Sequence, residues 1–178
     1  MMKHNYSDYT DEIELRPMVF SDIEAMRQLR NQNRKYFLCS DKITSTDQQR
    51  WYNRYLETPD DYMFSIFQQK RWIGAVALYN IKYEERIAEF GRLMIVKSTV
   101  VRKGLGTVAT ICACKIGFEQ LGLSKIYLEV YEDNLPAIKT YERAGFFRCG
   151  ERVDSTGRTI LNMICKRKEE LINGNTST

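Results

Sequence analysis

The sequence predicts an α/β (α+β) domain, built as a mixed, mostly antiparallel sheet of about seven strands with helices on both faces. Three observations lead there. Apolar periodicity switches repeatedly between two and about 3.6 residues, giving the order βαα–βββ–α–β–α–ββ. The helical segments carry their own start and stop signals. At 178 residues and 43% hydrophobic, the chain is long enough to bury one proper core.

Ile13–Pro17 is the first strand candidate. Ser21 opens a helix, with Glu24 completing a capping box, and it runs to about Asn31. Residues 33–42 are irregular and aromatic. Ser45 or Thr46 starts a second helix through about Leu56, and Thr58-Pro59-Asp60 ends it. Tyr62–Phe67 and Trp72–Ile81 read as a hairpin, followed by a strand over Ala88–Val96. Gly104–Leu121 is a helix whose buried stripe is Leu105, Val108, Ala109, Cys112 and Ile116, and Gly122 stops it. Lys125–Tyr131 is a strand with Ile126, Leu128 and Val130 on one face and Tyr127, Glu129 and Tyr131 on the other. Asn134 caps the next helix, Pro136 lies in its first turn, and Gly145 ends it. Phe146–Val153 and Thr159–Lys166 close the sheet as a hairpin. There is no repeat and no linker. Residues 1–12 read as an N-terminal extension, 13–166 as a single domain and 167–178 as a polar C-terminal tail.

Composition excludes several classes. The net charge of +4 is too mild, and reading motifs too absent, for a nucleic-acid binder. No segment approaches the ~18 apolar residues of a membrane span. Asp8, Asp11, Glu12 and Glu14 break any signal-peptide core, so a cytoplasmic protein is expected. The five cysteines have no framework spacing, and the one histidine, His4, lies in a polar stretch, so no metal site is expected.

Val101-Arg102-Lys103-Gly104-Leu105-Gly106-Thr107 opens a helix. A glycine-rich helix start suits a diphosphate, because backbone N–H groups and the helix dipole face the anion. The plainer reading is a turn before a helix. No Gly-Lys-Ser/Thr follows, so this is not a Walker A loop, and a third glycine for a Rossmann fingerprint is missing. Downstream stand Glu129, Asn134 and Tyr141, the last on a helix ended by Gly145. Together, in this order, these segments resemble the acetyl-CoA sites of the GCN5-related N-acetyltransferases, the GNAT family. The resemblance covers roughly residues 13 to 166 and implies the GNAT fold, with acetyl-CoA as donor.

By that resemblance, Met94, Ile95 and Val96 end the strand that pairs with the pantetheine arm. Arg102, Lys103, Gly104, Leu105, Gly106 and Thr107 form the pyrophosphate loop. Val101 stands where the family usually has Gln or Arg, with the basic residue one place later at Arg102. Asn134, with Ala137, contacts the pantetheine.

Acetyl transfer from a thioester needs a neutral amine, donors for the developing oxyanion and a proton for the leaving thiolate. Tyr141 stands where the family's general acid stands; the plainer reading is a core tyrosine. Glu129, a charge in an otherwise apolar strand flanked by tyrosines, is the candidate base, directly or through water. The plainer reading is a sheet carboxylate paired with a nearby Lys or Arg. Glu89 is the second choice, and a backbone N–H near Ile95 the expected oxyanion donor.

For the acceptor, residues 27–54 hold Arg27, Arg30, Arg34, Lys35, Lys42, Arg50 and Arg54 against Asp41 and Asp47, interleaved with Tyr36, Phe37, Trp51 and Tyr52. A polyamine site would need carboxylates, whereas a nucleotide sugar would need positive charge and aromatic faces. The plainer reading is a solvated basic face. Leu29-Arg30-Asn31, Gln49-Arg50-Trp51-Tyr52, the 74–81 segment and the 89–95 segment resemble N-acetyltransferases of nucleotide-linked amino sugars, of the pseudaminic-acid pathway type. That resemblance implies an acceptor pocket lined by Arg30, Asn31, Tyr79 and Asn80. The expected partner is a small-molecule amine, a UDP- or dTDP-linked amino sugar, with no nucleic acid and no membrane; homodimerisation is left open. Acetylation of a protein N-terminus, and a non-catalytic acetyl-CoA-binding domain, are the alternatives.

Overall fold

The computed structural model describes residues 2–34, 41–97 and 103–167. Eight strands form one sheet in the order β1-β2-β3-β4-β5-β6-β8-β7. They are β1 (Asp8–Tyr9), β2 (Glu14–Pro17), β3 (Tyr62–Gln68), β4 (Arg71–Lys82), β5 (Ile87–Ile95), β6 (Lys125–Tyr131), β7 (Phe147–Val153) and β8 (Thr159–Lys166). The helices are α1 (Ile23–Gln32), α2 (Ser45–Glu57), α3 (Leu105–Lys115) and α4 (Leu135–Arg143). All strand pairs are antiparallel except β5 with β6.

The period-2 patterning puts a core on each face of the sheet. In β3, Phe64 and Ile66 join the α3/α4 core, with Leu105, Ala109, Cys112 and Ile138. Met63, one step out of phase, joins the α1/α2 core with Ile23, Met26, Leu29, Tyr52 and Tyr55. A strand fully buried on both faces reads as a continuous apolar run, as β3 and the centre of β4 do.

Most element boundaries match the sequence reading within a residue or two, and β1 is the additional strand. The start of α1 differs. A short 3-10 turn over Phe20–Asp22 precedes it, and Asp22 rather than Ser21 organises the entry. The buried Asp22 carboxylate accepts from the Val19 amide at 3.2 Å and the Ser65 hydroxyl at 2.7 Å. Glu24, expected to close a capping box, instead binds Arg27 and Gln28. For α2, Thr44 is the N-cap and forms the capping box with Asp47. The helix expected to reach Leu121 is α-helical only to Lys115 and continues as a π turn over Ile116–Gln120.

The N-terminal residues pack onto the domain. The Lys3 ammonium donates to the carbonyls of Tyr55 at 2.6 Å and Asp61 at 2.6 Å, and to that of Thr58, so it satisfies the carbonyl end of α2. His4 sits edge-on to Tyr62 and Phe64, each at 5.0 Å between ring centres. Asp8 pairs with Lys115 of α3 at 3.0 Å.

Candidate active site

The site begins with a defect in the sheet. The parallel strands β5 and β6 pair only over Ile87↔Lys125, Ala88↔Ile126 and Glu89↔Tyr127. Beyond Glu89, β5 runs on to Ile95 and β6 to Tyr131 without pairing to each other, so a cleft opens between them. A bulge explains the divergence. Ala77 pairs with Gly91 but Ala75 with Met94, so β5 carries an extra residue there. Arg92 takes the strain with a left-handed φ of 53°.

The bulge also sets which backbone groups face the cleft. The Val96 amide donates to Ile73 of β4 at 2.8 Å. Alternation along the strand therefore turns Met94 and Val96 toward β4, and the Ile95 N–H and C=O toward the gap. The Met94 side chain is buried in the α1/α2 core, while Ile95 packs against the other core. What this segment offers a ligand is backbone, a free strand edge that an extended amide-bearing chain can pair with.

At the mouth of the cleft stands the start of α3. Gly104 is its N-cap, at a φ of 93° that disfavours any residue with a Cβ, and the space around it is open. The Thr107 amide donates back to Gly104 at 3.0 Å, while the amides of Leu105 and Gly106 have no acceptor inside the helix. Lys103 is exposed beside them. Leu105 is anchored in the core by its side chain and offers only its backbone. Free amides, a dipole and a lysine make this a fitting cradle for a diphosphate. Arg102 and Val101 lie outside the described residues.

The helix α4 closes the α3/α4 side of the cleft. Asn134 holds its N-cap position, but its side chain makes no capping bond; its carbonyl accepts from Ala137 and Ile138 instead. The backbone N–H of Asn134 donates to the Tyr131 carbonyl at 3.0 Å, so it is the side-chain amide that remains available to a ligand. Ala137 is half-buried against the core. Tyr141 packs edge-on to Phe90 at 5.7 Å and near Phe146 at 6.1 Å. Burial pushes its hydroxyl up to about 12. No described side chain or carbonyl hydrogen-bonds that hydroxyl, so a protonated donor is held next to β5 with its proton uncommitted.

On the α1/α2 face of the same strands lies a polar cluster. Glu89 accepts from the Tyr79 hydroxyl at 2.5 Å and from the Asn80 amide at 2.8 Å. Burial first, and then Glu89, hold the Tyr79 hydroxyl well above its ordinary range. The Arg92 guanidinium lies over the Tyr79 ring at 4.3 Å and binds both oxygens of Asp61, at 2.8 and 2.9 Å. A Cβ on Gly91 would come 2.8 Å from the Tyr79 hydroxyl, so glycine is what lets that ring lie against β5. Tyr127 is pushed up by burial first and then by the charges of Glu89, Glu129 and Glu85, and Glu89 lies directly across the parallel pairing from it.

The remaining site residues are placed less simply. Both oxygens of Glu129 are held by Arg152, which reaches across β8 with contacts of 2.9 and 2.6 Å, the paired arrangement that a plain sheet carboxylate adopts. Asn31 clamps the loop before α2, giving and receiving bonds with Ile43 at 2.8 and 2.9 Å. Its side chain is thus committed to the backbone. Arg30 is half-buried near the end of α1. Of the basic residues counted in 27–54, Arg27 is bound to Glu24 at 2.6 Å and Arg50 faces Asp47 at 3.7 Å, while Lys35, Tyr36 and Phe37 lie outside the described residues. Sequence reasoning missed the Asp61–Arg92–Tyr79 arrangement and Glu85. The available signal was an arginine inside the apolar strand at 92, ahead of Leu93-Met94-Ile95.

A splayed parallel strand pair, with a helix N-terminus at its mouth and a tyrosine at its side, is the geometry expected of a CoA thioester site. The model of the acetyltransferase (GNAT) domain matches residues 12–147. The chain belongs to the GNAT acetyltransferase family. A spermidine N(1)-acetyltransferase of Escherichia coli K12 is 29% identical over 141 residues, 78% of this chain and 75% of that protein. One of Vibrio cholerae is 30% identical over 146 residues, 80% of this chain and 83% of its relative. The structure of a Vibrio cholerae spermidine N-acetyltransferase with CoA and spermine superposes with a TM-score of 0.79 at 27% identity, covering 91% of this chain and 99% of that one. The protein is an N-acetyltransferase with acetyl-CoA as its donor. These relatives are named as polyamine enzymes, not as enzymes of nucleotide-linked sugars. Among the described residues no group of His, Cys, Asp and Glu is arranged to hold a metal, and no helix is long and apolar enough to cross a membrane.

Proposed function

We propose that this enzyme acetylates a primary amine of a small polycation, of the polyamine class. The carrying observation is Glu89, which lies across the β5/β6 pairing from Tyr127 on the acceptor side of the cleft and is set by Tyr79 and Asn80 without a basic partner among its described hydrogen bonds. Charge complementarity favours a cation there. The names of the spermidine-acetylating relatives support the same reading.

The roles follow from the geometry. The amides of Gly104, Leu105 and Gly106, with Lys103 beside them, bind the diphosphate; Arg102 is assigned to it by the family resemblance alone. The Met94–Val96 edge and Asn134, with Ala137 beside it, align the pantetheine. Acetyl-CoA supplies an activated acetyl carbon on a thiolate leaving group. The Ile95 N–H donates to the carbonyl oxygen where negative charge develops. Glu89, set by Tyr79 and Asn80, orients the attacking amine and takes its proton as the N–C bond forms. Tyr141 gives its proton to the departing sulfur as the C–S bond breaks, and regains one from solvent. Glu129, held by Arg152, contributes charge to the acceptor face and leaves the base role to Glu89.

The nucleotide-linked amino sugar is the second reading, resting on the basic residues of 27–54. It is weakened because Arg27 and Arg50 already face carboxylates and Asn31 is spent on Ile43. The test is thiol release from acetyl-CoA with spermidine, a UDP-4-amino sugar and a ribosomal-type N-terminal peptide. Spermidine is expected to be the preferred acceptor by kcat/KM. Preference for the nucleotide sugar or the peptide would sink the polyamine reading, and no turnover with any amine would favour a binding domain.

A further inference from the structure

The acceptor side of the cleft carries a cation of its own. Arg92 stands on β5 three residues beyond Glu89, roughly 10 Å by strand rise. The bulge decides where it points. Phe90 and Leu93 pack into the α3/α4 core. A Cβ on Gly91 would meet the Tyr79 hydroxyl, and the Arg92 guanidinium lies over the Tyr79 ring at 4.3 Å. Residues 91 and 92 therefore face the acceptor side in succession, which regular alternation does not allow. Without the extra residue, Arg92 would turn into the apolar core. The left-handed φ of 53° at Arg92 goes with setting a guanidinium near Glu89.

A guanidinium there is at odds with a site for a cationic amine. Glu89 accepts from the neutral donors of Tyr79 at 2.5 Å and Asn80 at 2.8 Å, and neither balances its charge. Arg92, on the same strand and the same face, is a rival of the substrate ammonium for that charge. Asp61 prevents the pairing. Its side chain is 12% exposed against 31% for Arg92, and both its oxygens take Nη1, at 2.8 and 2.9 Å. Asp61 is itself held in place. The Lys3 ammonium donates to its main-chain carbonyl at 2.6 Å, and the Ile81 amide donates to the carbonyl of Asp60 at 3.3 Å. The loop between α2 and β3 is thus tied to the N-terminal segment and to β4, and from there it fixes the guanidinium over Tyr79.

We infer that Asp61 is a positioning residue of the amine site: it neutralises the Arg92 guanidinium and keeps it off Glu89, so that Glu89 stays open to the substrate ammonium. This rests on the polyamine reading, with Glu89 as the group that meets the amine. The Asp61–Arg92 pair is neutral as a unit, which leaves the charge of Glu89 to attract the acceptor. A freed Arg92 would compete with the amine from within the protein. More amine would then be needed for half-saturation, while the chemistry of the bound amine and the acetyl-CoA site stay as they are.

The test is steady-state kinetics of the full chain with spermidine and acetyl-CoA, with thermal unfolding of each variant. Asp61→Asn should raise the KM for spermidine at least tenfold, leave kcat within about twofold and leave the KM for acetyl-CoA unmoved. Asp61→Asn combined with Arg92→Gln removes both charges and should bring the spermidine KM back to within about threefold of wild type. A double variant no better than Asp61→Asn would mean that the pair only shapes the protein, and would overturn the inference. So would a fall in kcat or a rise in the acetyl-CoA KM that matches the change for spermidine. Should Asp61→Asn not fold, Arg92→Gln alone decides. It removes the competitor, so the spermidine KM should stay at or below the wild-type value, and a tenfold rise would refute the role. Glu89→Gln separates the two levels of the argument. Spermidine turnover indifferent to Glu89→Gln would remove the reading underneath and this inference with it. Turnover that needs Glu89 but shows an unchanged spermidine KM in Asp61→Asn would overturn this inference alone.

Discussion

The two sides of the acetyl-transfer cleft are built from different materials. The donor side is mostly backbone: the edge of β5 at Ile95, the first amides of α3, and one uncommitted hydroxyl at Tyr141. The acceptor side is mostly side chains already engaged with one another: Tyr79 and Asn80 on Glu89, Arg92 on Asp61, Arg152 on Glu129. A backbone cradle tolerates almost any side chain, so the donor side depends on a few conformational requirements such as Gly104. A side-chain network depends on every member, and changing one partner retunes charge and shape at once. This division suits a family that keeps one donor and varies the amine.

The largest effect expected from breaking the donor side is at Tyr141, the proposed proton donor. Tyr141→Phe should lower kcat by about 10²–10⁴, the usual contribution of a positioned acid, with acetyl-CoA affinity nearly unchanged. Because burial holds the hydroxyl up to about 12, it stays protonated past the ordinary tyrosine range. The wild-type rate should therefore not fall between pH 9 and 10 through loss of this proton. A kcat for Tyr141→Phe within twofold of wild type would remove the residue as the acid. At the cradle, Gly104→Asp and Gly104→Asn form a matched pair. Both place a side chain of the same shape at a left-handed position, where a Cβ meets nothing within 4 Å. Any weakening of CoA binding seen only in the aspartate variant reports a negative charge facing the diphosphate, expected at about tenfold or more. Equal affinities would mean the phosphates lie elsewhere.

On the acceptor side the effects should be smaller and confined to the amine. Glu89→Gln keeps an acceptor for Tyr79 but loses the charge. It should reduce kcat/KM for spermidine by roughly 10–100-fold, in the range of one charge-assisted contact plus base assistance, with the KM for acetyl-CoA unmoved. An equal loss for a neutral-bodied primary amine would argue for a base role without a charge role. Gly91→Ala tests the same network from behind, since its Cβ would press the Tyr79 hydroxyl off Glu89. About a tenfold rise in the amine KM is expected, and an unchanged KM would show that the pair does not orient the substrate.

The asymmetry also explains how far the sequence could be read. The donor side was legible because its determinants are local in the chain. Gly104 and Gly106 mark a helix start, and Tyr141 lies one turn before the Gly145 stop. The strand and helix pattern was legible for the same reason. The acceptor side depends on partners distant in sequence. Glu129 stands out as a charge in an apolar strand, but its partner Arg152 comes from β7, across β8. That Glu89 comes to lie beside Tyr127, on the strand that carries Glu129, is decided only by the β5/β6 pairing. The bulge at Arg92 has no simple sequence mark. The count of basic residues in 27–54 overstates the free positive charge, because Arg27 and Arg50 find carboxylates three residues away on their own helices.

The smallest expected effect lies outside both sides, in the N-terminal segment that packs over β3, and it reports stability rather than catalysis. Burial among Tyr6, Tyr62 and Phe64 lowers His4 to about 4 from 6.5, against a partly offsetting bond to the Met63 carbonyl. The folded state thus keeps His4 neutral down to about pH 4, while the unfolded chain takes up a proton below about 6.5. Its contribution is fully present above pH 6.5 and is lost as pH falls through that window toward 4. At ~1.4 kcal/mol per unit, the loss is at most about 3.5 kcal/mol, or roughly 7–14 °C in melting temperature for a chain of this size. His4→Phe keeps a ring among the aromatic neighbours and removes the titration. Its melting temperature should change less between pH 6.5 and 4 than that of the wild type, even if its value at pH 7 is slightly lower. An identical pH slope in the two proteins would mean that His4 is protonated in the folded state, and that the N-terminal segment is not held against β3 in solution.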